Sequence, residues 1–297
     1  MKSVVSYPER GPYGNNRYRG NCSGYLIEDI ISQYKIEAMS DYMVGSGTTE
    51  DVCRKNGIPG TFLDLNRGYD MMTMDIPERP GNIFWHPPYG GMVIYSDHMY
   101  RAKDIMNEYG FDPRINDLSR AESWDDFVKK LNYCMLKQFS ALEKGGRMFV
   151  LLGDWKKQGK LHSMLCEIAR PGTLEQIIIK MEHNCMSDSR SYSNMNFVPI
   201  SHEYVMVIKK ESAVIIPVSV AKKHELDIRD AVSVTWRDLV AAVLEDAGRP
   251  LPLKEIYQAV DGHRKCSTNS HWKDKIRQTL QQWDGFLHVK EGVWAIS

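Results

Sequence analysis

From about residue 20 to 215, short apolar runs alternate with segments whose apolar residues recur at helical spacing. "GYLIEDIISQY" has a helical period, and "TFLDL" and "GNIFW" are strand-like. "SWDDFVKKLNYCMLKQFSALEKGG" spaces its apolar residues for a long helix closed by glycine at its C-terminus, and "RMFVLLGDW" then reads as a buried strand. This alternation predicts an α/β fold with a mostly parallel sheet. Two later strands, "QIIIKMEHN" and "EYVMVIKK", lie either side of the polar stretch "CMSDSRSYSNMNF", and their pairing would be antiparallel.

A second pattern starts near residue 225. "TWRDLVAAVLEDAG" is a helix with Thr235 as N-cap and Gly248 as its stop, "PLKEIYQAV" and "HWKDKIRQTLQQW" are two more, and "GFLHVKEGVWAI" is a two-strand wing. That order outlines a small winged helix-turn-helix, so domains are expected at 1–222 and 226–297. Arg264, Lys265, Lys273, Lys275 and Arg277 cluster on and before its third helix against one Asp274, the footprint of a phosphate-contacting helix.

Net charge decides how much weight that cluster carries. The 297 residues sum to a formal charge of zero, so nucleic-acid contact must come from a local patch. No run approaches membrane-spanning length and the N-terminus lacks a signal-peptide core, which points to a cytoplasmic protein without a membrane partner. The six cysteines contain no C-x-x-C pair, which fits reduced thiols better than disulfides or structural zinc.

Two loops carry the chemistry. In "SDYMVGSGTTED", Gly45 and Gly47 flank Ser46 between a strand and a polar helix start, where bare backbone can approach a ligand. About twenty residues on, Asp64 ends "TFLDL", where a carboxylate can accept both ribose hydroxyls of a nucleoside-like cofactor. Asp75, after "YDMMTMD", ends the next strand-like piece and could hold a base edge. In "FWHPPY", two successive prolines after an apolar run force the chain out of regular structure.

Together these segments resemble the S-adenosylmethionine-dependent DNA amino-methyltransferases. "DYMVGSGTT" is similar to the family's cofactor loop D-P-F-x-G-S-G-T-T, and "HPPY" to its catalytic D/N/S-P-P-Y. "YRGNCSGYLIEDII", "EKGGRMFVLLGDWKKQGK" and "VPISHEYVMVIKK" resemble the segment beside the cofactor's methionine end, the post-catalytic strand and the last core strand, in a gamma-like order over residues 18 to 210. The resemblance implies a Rossmann-like seven-stranded sheet with a terminal antiparallel strand. S-adenosyl-L-methionine would be held by Gly20, Asn21, Asp41, Val44, Gly45, Ser46, Gly47, Thr48, Asp64 and Asp75, with no metal required.

The implied reaction methylates an exocyclic amino group of a base flipped out of double-stranded DNA, adenine-N6 before cytosine-N4. His86 and the Pro87 carbonyl would accept the two amino hydrogens and free the nitrogen lone pair, while Pro88 fixes the loop and Tyr89 stacks on the base. The family has an oxygen acceptor where this chain has His86, whose ring accepts only while neutral. Turnover is therefore expected to fall as pH drops through the histidine range, near 6.5 if unperturbed. Arg190 and Tyr192 would add DNA contacts, as would Lys265, Lys273, Lys275 and Arg277. A cognate restriction endonuclease and a homodimer are compatible partners. Two readings of other classes stay open: a catalytically silent DNA-binding homologue, and a methyltransferase acting on RNA or on protein glutamine.

Overall fold

In the computed structural model, residues 1–183, 198–225, 227–231 and 234–297 are described. The chain divides into two compact units, Met1–Ala221 and Lys222–Ser297. Among the described residues no helix is long and apolar enough to cross a membrane.

The first unit contains β1 (Val4–Ser6), α1 (Gly24–Tyr34), α2 (Thr48–Lys55), β2 (Asn82–Trp85), α3 (Trp124–Ala141), β3 (Arg147–Leu152), the hairpin β4 (Asp154–Lys157) and β5 (Lys160–Ser163), β6 (Thr173–Met181) and β7 (His202–Lys209). Five strands form the central sheet in the order β1-β6-β7-β3-β2. β2 and β3 run parallel, and β7 is antiparallel to both β3 and β6, as the sequence suggested for the last two. Beyond β2, single parallel bridges Ser40–Ile83 and Asp41–Phe62 continue the sheet.

Alternation along the strands sends their apolar side chains to opposite faces. Ile83, Trp85, Met148, Val150, Leu152, Met206 and Ile208 pack with Phe127, Leu131 and Phe139 of α3. Phe84, Phe149, Leu151, Val205 and Val207 pack on the other side with Leu26, Ile27 and Ile30 of α1 and Val52 of α2. Each such large side chain, taken fully from water, contributes about 1.5–3 kcal/mol before chain entropy is counted. These two layers hold the ends of β2 and β3 still, and those ends carry the site.

Three local expectations need correction. "TFLDL" is no full strand: only Phe62 bridges, and Leu65 begins a 3₁₀ turn capped by the Asp64 carboxylate on Asn66 N–H. "YDMMTMD" is turn, because the Asp70 side chain accepts from Met72 N–H at 2.9 Å and Thr73 Oγ1 at 2.8 Å, giving the backbone an alternative to a ladder. α3 starts as expected, with Ser123 capping Asp126 N–H, but no glycine closes it. It stops at Leu142, fully buried, and the ammonium of Lys210 donates to the carbonyls of Ser140 (2.7 Å) and Leu142 (2.6 Å), a cation at a helix C-terminus. The segment Val4–Ser6 adds a parallel edge strand that the sequence reading passed over.

The second unit contains α4 (Trp236–Ala247), β8 (Leu251–Pro252), α5 (Leu253–Val260), α6 (Trp272–Gln282), β9 (Phe286–Lys290) and β10 (Val293–Ile296). Thr235 and Asp238 form a reciprocal capping box, and Gly248 ends α4 at φ 60°. β10 pairs with both β9 and β8, so the expected two-strand pair is part of a three-stranded sheet. Leu239, Val243, Ile256, Ile276, Leu280 and Phe286 form its core.

Candidate active site

The glycine loop is held by carboxylates close to it in sequence. Asp41 is 2% exposed and accepts from Met43 N–H at 3.0 Å and Thr49 Oγ1 at 2.6 Å. Burial pushes its carboxyl up to about 7, against the lowering effect of the Thr49 and Met43 hydrogen bonds. Gly45 and Gly47 sit at φ 53° and 93°, in the left-handed region that side chains avoid. Gly45 N–H donates to Asp64 Oδ2 at 2.8 Å, and Asn66 N–H to Oδ1 at 3.0 Å, so each Asp64 oxygen takes one backbone donor. Burial raises the Asp64 carboxyl, offset by those two amides.

Asn21 stitches a distant segment to the same loop. Its Oδ1 accepts from Ser46 Oγ at 2.8 Å and also from Thr48 Oγ1. A cavity opens between these parts and the end of β2. Gly20, Asn21, Asp41, Val44, Gly45, Ser46, Thr48, Asp64, His86 and Pro88 all line it. Gly47, Asp75, Pro87 and Tyr89 are not among its lining residues. Asp75 cannot hold a base edge there: the Asp70-centred turn leaves its side chain exposed, and its carbonyl accepts from Tyr69 Oη. Asp70 itself lines the cavity, with Asn116 Nδ2 donating to it at 2.6 Å.

Sequence reasoning missed the tyrosine wall. Tyr18, Tyr95 and Tyr100 line the cavity, with ring centroids of Tyr18 and Tyr95 5.6 Å apart. Tyr18 belongs to the quoted "YRGN" segment and could have been named from it. Tyr95 and Tyr100 follow the catalytic loop without any local signal.

The "FWHPPY" loop leaves β2 with Trp85 and Pro87 buried. Tyr89 turns its ring against the backbone of Gly153, where a Cβ would stand 2.2 Å from Tyr89 Cε2, so only glycine admits that ring. Tyr89 Oη donates to Glu203 Oε1 at 2.6 Å and lies 2.9 Å from His86 Nε2. Glu203 Oε2 accepts from Lys180 Nζ at 2.7 Å, and Lys180 also pairs with Glu182.

Burial would raise Glu203, but the Lys180 charge and hydrogen bonds from Glu182, Lys180 and Tyr89 hold it below the ordinary carboxylate range. Glu182 is pushed up to about 6, by burial first and then by Glu203. Burial and the Glu203 charge keep the proton on Tyr89. His86 falls to about 3, through burial first and the Lys180 charge second, against Glu182. The expected pH inflection near 6.5 is therefore corrected: His86 stays neutral far below it, because its surroundings penalise the imidazolium.

Arg190 and Tyr192 lie outside the described residues. In the second unit, Lys273, Lys275 and Arg277 are exposed and Lys265 is half-buried. Arg277 pairs with Asp274, and Lys275 Nζ donates to Gln278 Oε1 at 2.8 Å. Lys273 Nζ sits 5.3 Å from the Trp272 ring centroid, and Lys265 Nζ 5.6 Å from that of Trp236.

No family model and no curated protein sequence matches the chain. Among solved structures it is similar to TrmN from Thermus thermophilus, at 15% identity and a TM-score of 0.30, over 65% of this chain and 50% of that one. The chain thus spans about half the length of TrmN. A methyltransferase from Pyrococcus furiosus is similar at 11% identity and a TM-score of 0.28, over 67% of this chain and 86% of that one. An S-adenosylmethionine-dependent methyltransferase from Clostridium acetobutylicum ATCC 824 is similar at 9% identity and a TM-score of 0.29, over 64% and 91%.

Proposed function

We propose that the chain transfers a methyl group from S-adenosyl-L-methionine to an exocyclic amino group in DNA, adenine-N6 before cytosine-N4. One observation carries this reading: Gly20 and Asn21, then Gly45, Ser46 and Thr48 with Asp64, and His86 with Pro88, far apart in sequence, line one cavity. The donor set suits that cofactor. Left-handed glycines leave backbone bare to a ligand, and each Asp64 oxygen keeps a lone pair for a ribose hydroxyl. Bound there, the cofactor would supply an electrophilic methyl group on a sulfonium.

The chain's own residues do the rest. A neutral His86 accepts one hydrogen of the amino group, and the resemblance gives the other to the Pro87 carbonyl. Two acceptors drawing the hydrogens out of the ring plane take the nitrogen lone pair out of conjugation and free it for attack, and the fixed acceptors need no reorganisation as charge develops. We read the second unit as a winged helix whose exposed Lys273, Lys275 and Arg277, with Lys265, contact phosphates.

Isotope transfer from methyl-labelled cofactor to DNA, RNA and protein in parallel, followed by nucleoside mass spectrometry, tests the reading. Label in N6-methyladenine of DNA is expected. Label confined to RNA or protein would overturn the DNA assignment, and label in none of them, with cofactor bound, would make the chain a silent homologue. Deleting residues 226–297 should weaken DNA binding strongly and spare cofactor binding.

A further inference from the structure

Behind His86 stands a row of groups that the proposed reaction does not require by itself. Lys180 of β6 is only 6% exposed, an uncommon place for an ammonium. It faces Glu203 directly across the β6–β7 ladder, and Glu203 in turn meets Tyr89, which meets His86. The direction of this row follows from proton counting. An ionised carboxylate only accepts, and Tyr89 has a single hydroxyl proton, so that proton points at Glu203. Toward His86 the phenol oxygen therefore offers lone pairs alone. At 2.9 Å, Nε2 must bring the hydrogen, and a neutral imidazole carries just one.

We propose that Lys180, Glu203 and Tyr89 are positioning residues that lock His86 in its Nε2–H tautomer, leaving Nδ1 as the nitrogen with a free lone pair. That Nδ1 then meets the substrate's amino group rests on the reading above; the lock itself does not. In the opposite tautomer the Nε2 and Tyr89 lone pairs would face each other, or the Tyr89 proton would have to leave the ionised Glu203 carboxylate. The depressed basicity of His86 agrees with the lock, since an imidazolium would lose the distinction between its nitrogens. A bare ion pair serving stability alone would not select between tautomers.

The test is two-bond ¹H–¹⁵N correlation on the full chain labelled with ¹⁵N-histidine, near neutral pH, with His86 assigned by its loss in His86→Asn. The Nε2–H pattern is expected. In Glu203→Gln, Lys180 holds the amide oxygen and the amide nitrogen faces Tyr89, which must now donate to His86, so the pattern should switch to Nδ1–H. In Tyr89→Phe, which keeps the ring, a mixture of tautomers is expected, with turnover down about 100-fold. An Nδ1–H or doubly protonated His86 in the unaltered chain overturns the proposal, as does an unchanged tautomer in Tyr89→Phe. The tautomer is read without cofactor or substrate. A correct tautomer with no methyl transfer to any substrate would therefore reject the proposed reaction and uphold the lock.

Discussion

The glycine loop and the wall behind His86 both keep polar groups out of water, by opposite means. The loop's two acids use partners close along the chain: Asp41 takes its two donors from residues 2 and 8 positions on, and Asp64 reaches back 19 to Gly45. All those donors are neutral. The wall joins groups separated by 114 positions, Tyr89 to Glu203, and by 23, Lys180 to Glu203, with full charges in the row. Neutral donors leave the loop's acids poised to take protons, and Asp41 rises to about 7. A buried cation leaves Glu203 ionised, so the row from Lys180 through Glu203 to His86 keeps its charges while Glu182 beside it takes a proton near 6, and the row depends on strand register.

Breaking the wall should cost most. Lys180→Met strands two half-buried carboxylates without their cation, and a loss of about 3–5 kcal/mol in urea unfolding is expected. A loss below about 1 kcal/mol, the scale of an exposed pair such as Arg54–Glu50, would show that the wall is effectively solvated. Gly153→Ala comes next. Its Cβ collides with the Tyr89 ring, so stability should fall by about 1–3 kcal/mol and turnover by about 100-fold, with cofactor affinity retained. Equal losses in turnover and cofactor affinity would mean that the two regions are one.

The loop is probed by pH. A folded-state value for Asp41 of about 7, above its unfolded value near 4, favours the folded chain fully only while both states are protonated. That contribution is lost as pH rises from about 4 to about 7. Asp41→Asn should remove this part of the stability–pH slope and gain on the order of 2 kcal/mol at pH 8, read by urea unfolding across pH. An unaltered slope would show that Asp41 ionises freely. The smallest effect is expected for the wall. With His86 near 3, the chemical step should vary by less than about twofold between pH 8 and 5.5, and a fall centred near 6.5 would show that His86 is solvated.

Much of the cavity was legible because its signals are local. Glycines at positive φ, an acid at a turn and prolines after an apolar run each state a backbone requirement within a few residues. Asp75 failed because Asp70, five positions earlier, bends its own backbone into a turn, and a short-range side-chain competition of that kind is hidden in a strand-like composition. Glu203 follows His202 on β7, where neighbouring residues face opposite ways. That geometry correctly separates the two and says nothing of what each one meets: His202 Nε2 lies 2.7 Å from Tyr204 Oη, and Glu203 meets Tyr89 and Lys180.

Period and turn chemistry therefore determined the alternating α/β order, the antiparallel β6–β7 pair, the helices of the second unit and the cofactor-like loop. Those depend on forces acting over one or two turns of chain. Tertiary structure alone decided that a lysine and a glutamate on neighbouring strands would stand behind the "HPPY" loop, and that Gly153 would leave room for the Tyr89 ring between them. Which hydrogen a histidine carries is settled by whatever oxygen packs against it, and that oxygen is chosen by sheet register.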